Sequence, residues 1–214
     1  MTAPAPRRAG RRAGESRTRE AILGAARRAF AAYGYDGATI RGIAAQAGVN
    51  PALVHHFYGT KERLFAAAMR LPVLPSEILA GAFGAARERL GEDFQVHLGE
   101  VLIGTMLRAW EGPEARAAFL GLLRTGATTD QGLAMLREFV SSTILASMVR
   151  AAGLADDATG RYRAALVASQ VVGLGFARYL LALEPLASAS IEDLTAAVGP
   201  AVQRYLTGDV RLRS

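Results

Sequence analysis

Cysteine is absent from the sequence, and lysine occurs only once, as Lys61. Without thiols the chain has no disulfide bonds, no cysteine nucleophile and no thiolate ligands for a metal. The sequence has only three histidines, and it has neither a phosphate-binding glycine loop nor a suggestive pair of carboxylates. Few residues are therefore available for catalysis or for binding zinc. We therefore expect no enzyme activity, no metal site and no cofactor.

Long apolar runs are also missing. No run approaches the roughly 18 apolar residues that a membrane-spanning helix needs. Arginines stand near the N-terminus, where a signal peptide would have its apolar segment. The 214 residues are 51% hydrophobic, enough for one sizeable core and a small second unit. These features predict a soluble, cytoplasmic protein without a membrane partner.

Positive charge is concentrated at one end of the chain. Residues 1–63 contain 11 Lys+Arg and 4 Asp+Glu, whereas residues 64–214 contain 14 and 15. A positive field confined to one region is typical of a protein that binds a polyanion there. An acidic membrane is the alternative polyanion, but residues 17–63 lack the strongly apolar face that membrane binding needs.

Residues 39–65 have the pattern of short helices joined by tight turns. Thr39 can cap a first helix, and Gly48 would end it, because glycine tolerates the left-handed conformation at a helix end. Asn50 followed by Pro51 is a cap and a first-position proline, which together begin a second helix. A turn this short forces the two helices to cross steeply, as in a DNA-binding helix-turn-helix.

The second of these helices would present its outer face to the major groove. Its outward residues are Pro51, Ala52, His55 and His56. Imidazoles hydrogen-bond to phosphates or base edges, and a small apolar group such as Ala52 fits against a thymine methyl. Lys61 would lie in the first turn of a third helix, where a cation opposes the helix dipole; this indicates a phosphate partner. Ordinary solvated residues are the alternative for both histidines.

The whole segment from Arg17 to Phe65 resembles the DNA-binding domain of the tetracycline-repressor (TetR) family. The resemblance rests on an ordered set of residues: Ile22, Ala26 and Phe30 on a first helix, Gly34 at its end, Thr39-Ile-Arg-Gly-Ile-Ala, Ala47-Gly-Val, and Lys61-Glu62 before Leu64. It implies contacts to phosphates or bases from Thr39, His55, His56 and Lys61, and a base contact from Arg41. Phe57-Tyr58 stand in the reverse of the order usual in the family.

The rest of the chain predicts an all-α fold. An N-terminal three-helix helix-turn-helix domain would be followed by a C-terminal helical domain for ligand binding and dimerisation. We place a disordered basic arm at 1–16, the DNA-binding domain at 17–63 and the C-terminal domain at 64–210. The arm, with Arg7, Arg8, Arg11 and Arg12, would track DNA or else be a solvated tail. Later helices are predicted near 76–90, 93–110, 113–125, 130–152, 157–183 and 190–206.

Two sets of apolar residues in the C-terminal domain suggest sites. Large, partly flexible side chains could line a ligand cavity, and the chosen set is Phe94, Met106, Trp110, Phe119, Met135 and Phe139. Small and apolar residues on the last two long helices suggest a dimer seam, comprising Ala165, Gly173, Ala177, Leu194, Val198 and Val202. By resemblance, the family dimerises through these helices. Ordinary core packing is the alternative for both sets.

Together these features indicate a ligand-responsive transcriptional regulator, and we favour a repressor. It would bind a palindromic double-stranded operator as a homodimer, because one short helix makes few base contacts, and a small, largely apolar effector would release it. An enzyme carrying a DNA-binding module and a ligand-independent architectural protein are the competing interpretations.

Overall fold

The computed structural model describes residues 9–71, 74–128 and 130–210, and the regular structure within them is entirely helical. The helices are α1 (Ala9–Gly37), α2 (Ile40–Ala47), α3 (Pro51–Tyr58), α4 (Lys61–Ala68), α5 (Pro75–Leu90), α6 (Leu98–Glu111), α7 (Pro113–Thr128), α8 (Asp130–Phe139), α9 (Ala146–Ala152), α10 (Ala158–Gly175) and α11 (Ile191–Thr207). A 3-10 turn, Gly91–Val96, precedes α6. There are also two π-helical segments: Val140–Leu145 joins α8 to α9 without a break, and Phe176–Leu180 extends α10.

Helix α1 begins earlier than the sequence predicted. It is helical from Ala9, so residues 9–16 are not the disordered arm that we expected; Arg7 and Arg8 lie outside the described residues. Alanine, arginine and glutamate, which are good helix formers, make up most of this stretch, and no proline stands between Pro6 and Pro51. The helix kinks at Gly34, whose φ of 74° is readily adopted only by glycine.

Local capping residues define the helix-turn-helix as the sequence predicted. The Thr39 side chain accepts a hydrogen bond from the Gly42 N–H at the start of α2. Gly48 ends that helix in the left-handed conformation, with φ 68°. Asn50 then accepts from the Ala52 N–H at 2.8 Å and begins α3. The predicted boundaries of both helices are therefore confirmed.

The first hydrophobic core lies beneath the helix-turn-helix and includes residues from the C-terminal part of the chain. Ile22, Phe30, Ile43, Val54 and Phe65 are fully or almost fully buried in it. Helix α8 adds two buried side chains, Met135 and Phe139, to the same cluster. The helix-turn-helix unit is thus completed by a helix that lies far along the chain.

The second core holds the C-terminal helices together, with α6 against α11 as its closest crossing. A Cβ atom on Gly99 would collide with the carbonyl oxygen of Gly199 and would lie 2.6 Å from the Gln203 nitrogen. The Gly99 N–H also donates to the Gln203 side chain at 2.8 Å. Glycine at both positions therefore allows the two backbones to touch.

One stretch of the described residues, Gly132–Ala152, is long and apolar enough to cross a membrane by length and composition, with a mean hydropathy of 1.3. It contains three charged residues, Arg137, Glu138 and Arg150, and its first helix, α8, packs against α1 and α7. Core helices of soluble proteins meet the same criterion.

Candidate nucleic-acid interface and ligand cavity

Helix α3 presents a continuous solvent-facing surface. Ala52, His55 and His56 are exposed, and Pro51 at the start of the helix is partly exposed. Val54, 1% exposed, anchors the opposite face in the core. This agrees with the orientation inferred from the sequence, in which the reading residues point away from the protein.

Two of the predicted DNA contacts use their side chains locally. Thr39 and Asn50 are both exposed, but their side-chain oxygens cap α2 and α3. The Thr39 hydroxyl retains its own proton and can still donate to a phosphate. Arg41, in the first turn of α2, is exposed beside Thr39.

Lys61 has partners within the protein. Its ammonium group donates to the Asp36 backbone carbonyl at 3.1 Å and lies 4.7 Å from the centre of the Tyr35 ring. Partial burial lowers the pKa of Lys61, against an opposing effect of the Asp36 and Glu138 carboxylates. A phosphate partner is therefore not needed to explain a lysine at this helix start.

Sequence reasoning missed two exposed residues at α3, Leu53 on the helix itself and Arg19 of α1 beside Phe57. Leu53 is 39% exposed on α3, next to Val54, which is 1% exposed. The Arg19 guanidinium lies 5.0 Å from the centre of the Phe57 ring, and the Arg19 carbonyl accepts from the Tyr58 hydroxyl at 3.2 Å. Helical periodicity places Leu53 at the edge of the outward face, since successive residues point about 100° apart and the next residue, Val54, is buried.

A cavity of about 370 Å³ lies inside the C-terminal bundle, close to the helix-turn-helix core. Its lining is apolar throughout and comprises Leu71, Ile78, Leu79, Leu102, Met106, Ala109, Trp110, Ala115, Ala118, Phe119, Leu122, Leu123, Leu136, Val140, Ile144, Met148, Ala168, Val171 and Val172. Trp110 and Phe119 stack on each other in this wall, with ring centres 4.3 Å apart. The lining favours an uncharged, apolar molecule.

Only half of the predicted cavity residues line this space. Met106, Trp110 and Phe119 do. Phe94 does not line the cavity and packs against Phe83, with ring centres 5.9 Å apart. Met135 and Phe139 face the helix-turn-helix core, because α8 turns that side towards α1. These three side chains are structural packing residues.

Helix α8 and the π segment after it contact both the cavity and the helix-turn-helix unit. Leu136, Val140 and Ile144, successive turns of one face, line the cavity. On the other side, a carboxylate oxygen of Glu138 accepts from the Asp36 N–H at 3.1 Å. A Cβ atom on Gly34 would collide with this carboxylate, so glycine also makes room for it.

Tyr35 stands at this junction and is 7% exposed. Burial raises the pKa of Tyr35; hydrogen bonding to Thr143 acts in the opposite direction, and the Glu62 and Asp36 carboxylates raise it further. Thr143 belongs to the π segment Val140–Leu145. The tyrosine thus connects the end of α1 to the segment that borders the cavity.

The predicted dimer seam divides into two groups. Ala165 and Gly173 are exposed on α10 and Ala177 is partly exposed, so these can meet a second copy. Leu194 and Val202, 4% and 0% exposed, belong to the monomer core, and Val198 packs against that core. The correction has a simple cause: α11 turns its apolar stripe towards α6, which its glycine contact brings close.

A larger exposed apolar surface remains on α10 and beyond it. Tyr162, Val172 and Phe176 are between 37% and 40% exposed, and Leu181 and Leu183 exceed half. The first three residues share one helical face with Ala165 and Gly173.

Among the described residues, no group of three His, Asp or Glu side chains could hold a metal ion.

Comparison with known proteins identifies the family. The family described as "Bacterial regulatory proteins, tetR family" matches residues 22–68, and "Tetracyclin repressor-like, C-terminal domain" matches residues 97–206, more than half of the chain.

Three relatives illustrate the match. The transcriptional repressor AcnR of Corynebacterium glutamicum is 43% identical over 53 residues, covering 25% of this chain and 28% of its own length. The transcriptional regulator BetI of Rhizobium meliloti is 37% identical over 107 residues, covering 48% of each. The chain thus spans half or less of these curated relatives. A TetR-family regulator of Streptomyces coelicolor is 36% identical, covering 95% of this chain and 99% of that one with a TM-score of 0.48. The chain therefore belongs to the TetR family of DNA-binding transcription regulators, which are not enzymes.

Proposed function

We propose that this protein is a homodimeric repressor that binds a palindromic operator and releases it when a small, apolar molecule occupies the cavity. The observation that carries this proposal is that the cavity shares α8 and its π segment with the core of the helix-turn-helix. Leu71 and Ile144 line the cavity and also pack against that core. Family membership supports a soluble, cytoplasmic regulator without a membrane partner.

The two-fold symmetry of the operator follows from the size of the reading helix. Helix α3 has only eight residues, and four of them, Ala52, Leu53, His55 and His56, are exposed. One copy can therefore read only a short half-site, and a dimer doubles the number of base contacts. The exposed apolar face of α10, with Tyr162, Val172 and Phe176, is the surface that we propose for pairing.

The effector is proposed to act through α8. A molecule that fills the cavity pushes on Leu136, Val140 and Ile144, and the same helix carries Met135, Glu138 and Phe139 into the DNA-binding unit. A π segment has a wider turn than an α-helix and is a common place for a functional adjustment of register. The dimer is in equilibrium between an operator-binding arrangement and a released arrangement. The effector shifts this equilibrium only by the difference between its affinities for the two arrangements.

The experiment combines operator selection with a matched pair of cavity variants. Duplexes are enriched from a random pool on the purified full-length protein, and their affinity is measured with and without uncharged apolar compounds that raise the melting temperature. Ala118→Phe places a ring in the cavity and should abolish the response to these compounds, so that operator affinity is the same with and without them. Ala117→Phe adds the same ring at an exposed neighbour and serves as the control.

The outcomes separate the parts of the proposal. A selected sequence that is palindromic and bound by two chains supports the dimeric regulator. Enrichment of no sequence over random DNA would contradict operator binding. A normal response in Ala118→Phe would place the effector outside the cavity.

A further inference from the structure

The exposed face of α3 is poor in groups that read bases by paired hydrogen bonds. The helix sequence, PALVHHFY, contains no arginine, lysine, asparagine or glutamine. Guanine is usually read by arginine or lysine, and adenine by asparagine or glutamine. Thymine is the base that offers a methyl group to an apolar side chain.

Leu53 and Ala52 supply an apolar surface where α3 begins. Leu53 is 39% exposed, whereas the next residue, Val54, is 1% exposed. Successive residues of a helix point about 100° apart, so Leu53 flanks the outward direction and does not join the core. The exposed part of the Leu53 side chain is open to solvent in the described part of the fold.

A cation borders this apolar surface. Phe57, one turn after Leu53, is half-buried, and the Arg19 guanidinium lies 5.0 Å from its ring centre. Arg19 is itself exposed, so it can pair with a phosphate while Leu53 faces the groove. An apolar strip with a cation beside it matches the edge of a major groove, where methyl groups and phosphates lie side by side.

We propose that Leu53, supported by Ala52, is the specificity-determining residue for thymine in each operator half-site, which it recognises through the C5 methyl group. This inference rests on the proposed operator-binding function. It makes the base preference of α3 depend mainly on apolar contact, with His55 and His56 as the hydrogen-bonding residues of the same face.

The test removes single methyl groups from the DNA. A duplex selected on the full-length protein is remade with deoxyuridine in place of each thymine in turn, which deletes the methyl group and keeps the base-pairing hydrogen bonds. At one or two positions in each half-site the change should weaken binding about three- to fivefold, the ratio that corresponds to burial of one methyl group. Leu53→Ala should bind the thymine and uracil duplexes with nearly equal affinity.

Leu133→Ala is the matched control, because Leu133 is an exposed leucine of α8, away from the reading helix. This variant should keep the full difference between thymine and uracil. Circular dichroism of Leu53→Ala should match that of the unchanged protein, and its melting temperature should fall only slightly, because 39% of the leucine surface is already exposed.

The proposal is overturned if no uracil substitution weakens binding, if the selected half-sites lack thymine, or if Leu53→Ala retains the difference. In each of these cases a selected operator is still bound, so the proposed regulator stands. Failure to enrich any sequence overturns both.

Discussion

Phe139 of helix α8 stacks on Phe65 of helix α4, with ring centres 4.3 Å apart and an interplanar angle of 28°. Tyr35 meets both rings edge-on, at 5.1 Å and 5.3 Å. One aromatic cluster therefore joins α1 and α4 of the helix-turn-helix unit to a helix of the C-terminal part of the chain. The stability of the helix-turn-helix unit therefore depends in part on side chains from α8.

Loss of the Phe139 ring should destabilise the reading unit strongly. Phe139 is 0% exposed, so Phe139→Ala should lower the free energy of unfolding by about 3–5 kcal/mol, through lost burial and the cavity left behind. Urea unfolding followed by circular dichroism measures the change. Leu133→Ala, at an exposed site of the same helix, should have an effect within about 0.5 kcal/mol. Equal effects would contradict the shared core.

The Glu138 contact should influence the coupling between effector binding and operator binding. Glu138→Ala removes the acceptor for the Asp36 N–H and should change the coupling free energy by about 0.5–2 kcal/mol. Operator affinity is measured with and without an effector found by thermal shift. Arg137→Ala, at the exposed neighbouring position, should keep the coupling intact. If both variants respond alike, the signal passes elsewhere.

Lys61 and Arg41 should affect DNA binding differently: Lys61 through its salt dependence and Arg41 through its base preference. A phosphate contact from Lys61 predicts that Lys61→Ala flattens the slope of log K against log salt by about 0.9 with no change of base preference. A base contact from Arg41 predicts that Arg41→Ala relaxes preference at one operator position, by about 1–3 kcal/mol. Titrations at several salt concentrations on matched and mismatched duplexes separate the two. An unchanged slope for Lys61→Ala would limit this lysine to its contacts with Asp36 and Tyr35.

Gly173 offers a clean test of the pairing surface. A Cβ atom there meets nothing within 4 Å in the described part of the single chain, and the same is true of Gly84 on α5. Gly173→Leu should weaken the dimer by about 1–3 kcal/mol because it overpacks the seam between copies. Gly84→Leu carries the same helical change away from α10 and should leave the dimer unaffected. Sedimentation over a range of concentrations measures both, and two intact dimers would move the seam from Gly173.

Stability at high pH should depend on Tyr35. Because burial raises the pKa of Tyr35 above its usual value of 10.0, the folded state holds the phenolic proton more tightly than the unfolded state. Its contribution to stability is therefore complete below about pH 10 and is lost as the pH rises through the folded pKa. Tyr35→Phe should show a shallower decline of unfolding free energy above pH 10. Tyr33→Phe, at an exposed site of α1, should retain the full decline.

Local signals made much of the helix-turn-helix predictable. Thr39, Gly48, Asn50 and Pro51 act on backbone within a few residues, so their effect can be recognised without knowing the fold. Apolar periodicity likewise located the later helices. The early start of α1 at Ala9 was missed, because an alanine- and arginine-rich stretch without apolar periodicity was taken for a disordered arm.

The partners of apolar residues were not predictable in the same way. Met135 and Phe139 are residue types expected in a cavity lining, and Leu194 and Val202 are residue types expected in a dimer seam. Periodicity shows that a helix face is covered but not what covers it. That choice depends on contacts between distant segments, such as the glycine crossing of α6 and α11, which only the folded chain reveals.

The contribution of Met135 and Phe139 to the core under the reading helix limits how this protein can be recombined. Hybrid regulators are made by exchanging one DNA-reading segment for another at a linker. Here a cut near residue 71 would leave a transplanted reading segment without the two side chains that close its core. A working hybrid would need a matching pair of residues on α8, so the exchangeable unit is two separate stretches of sequence.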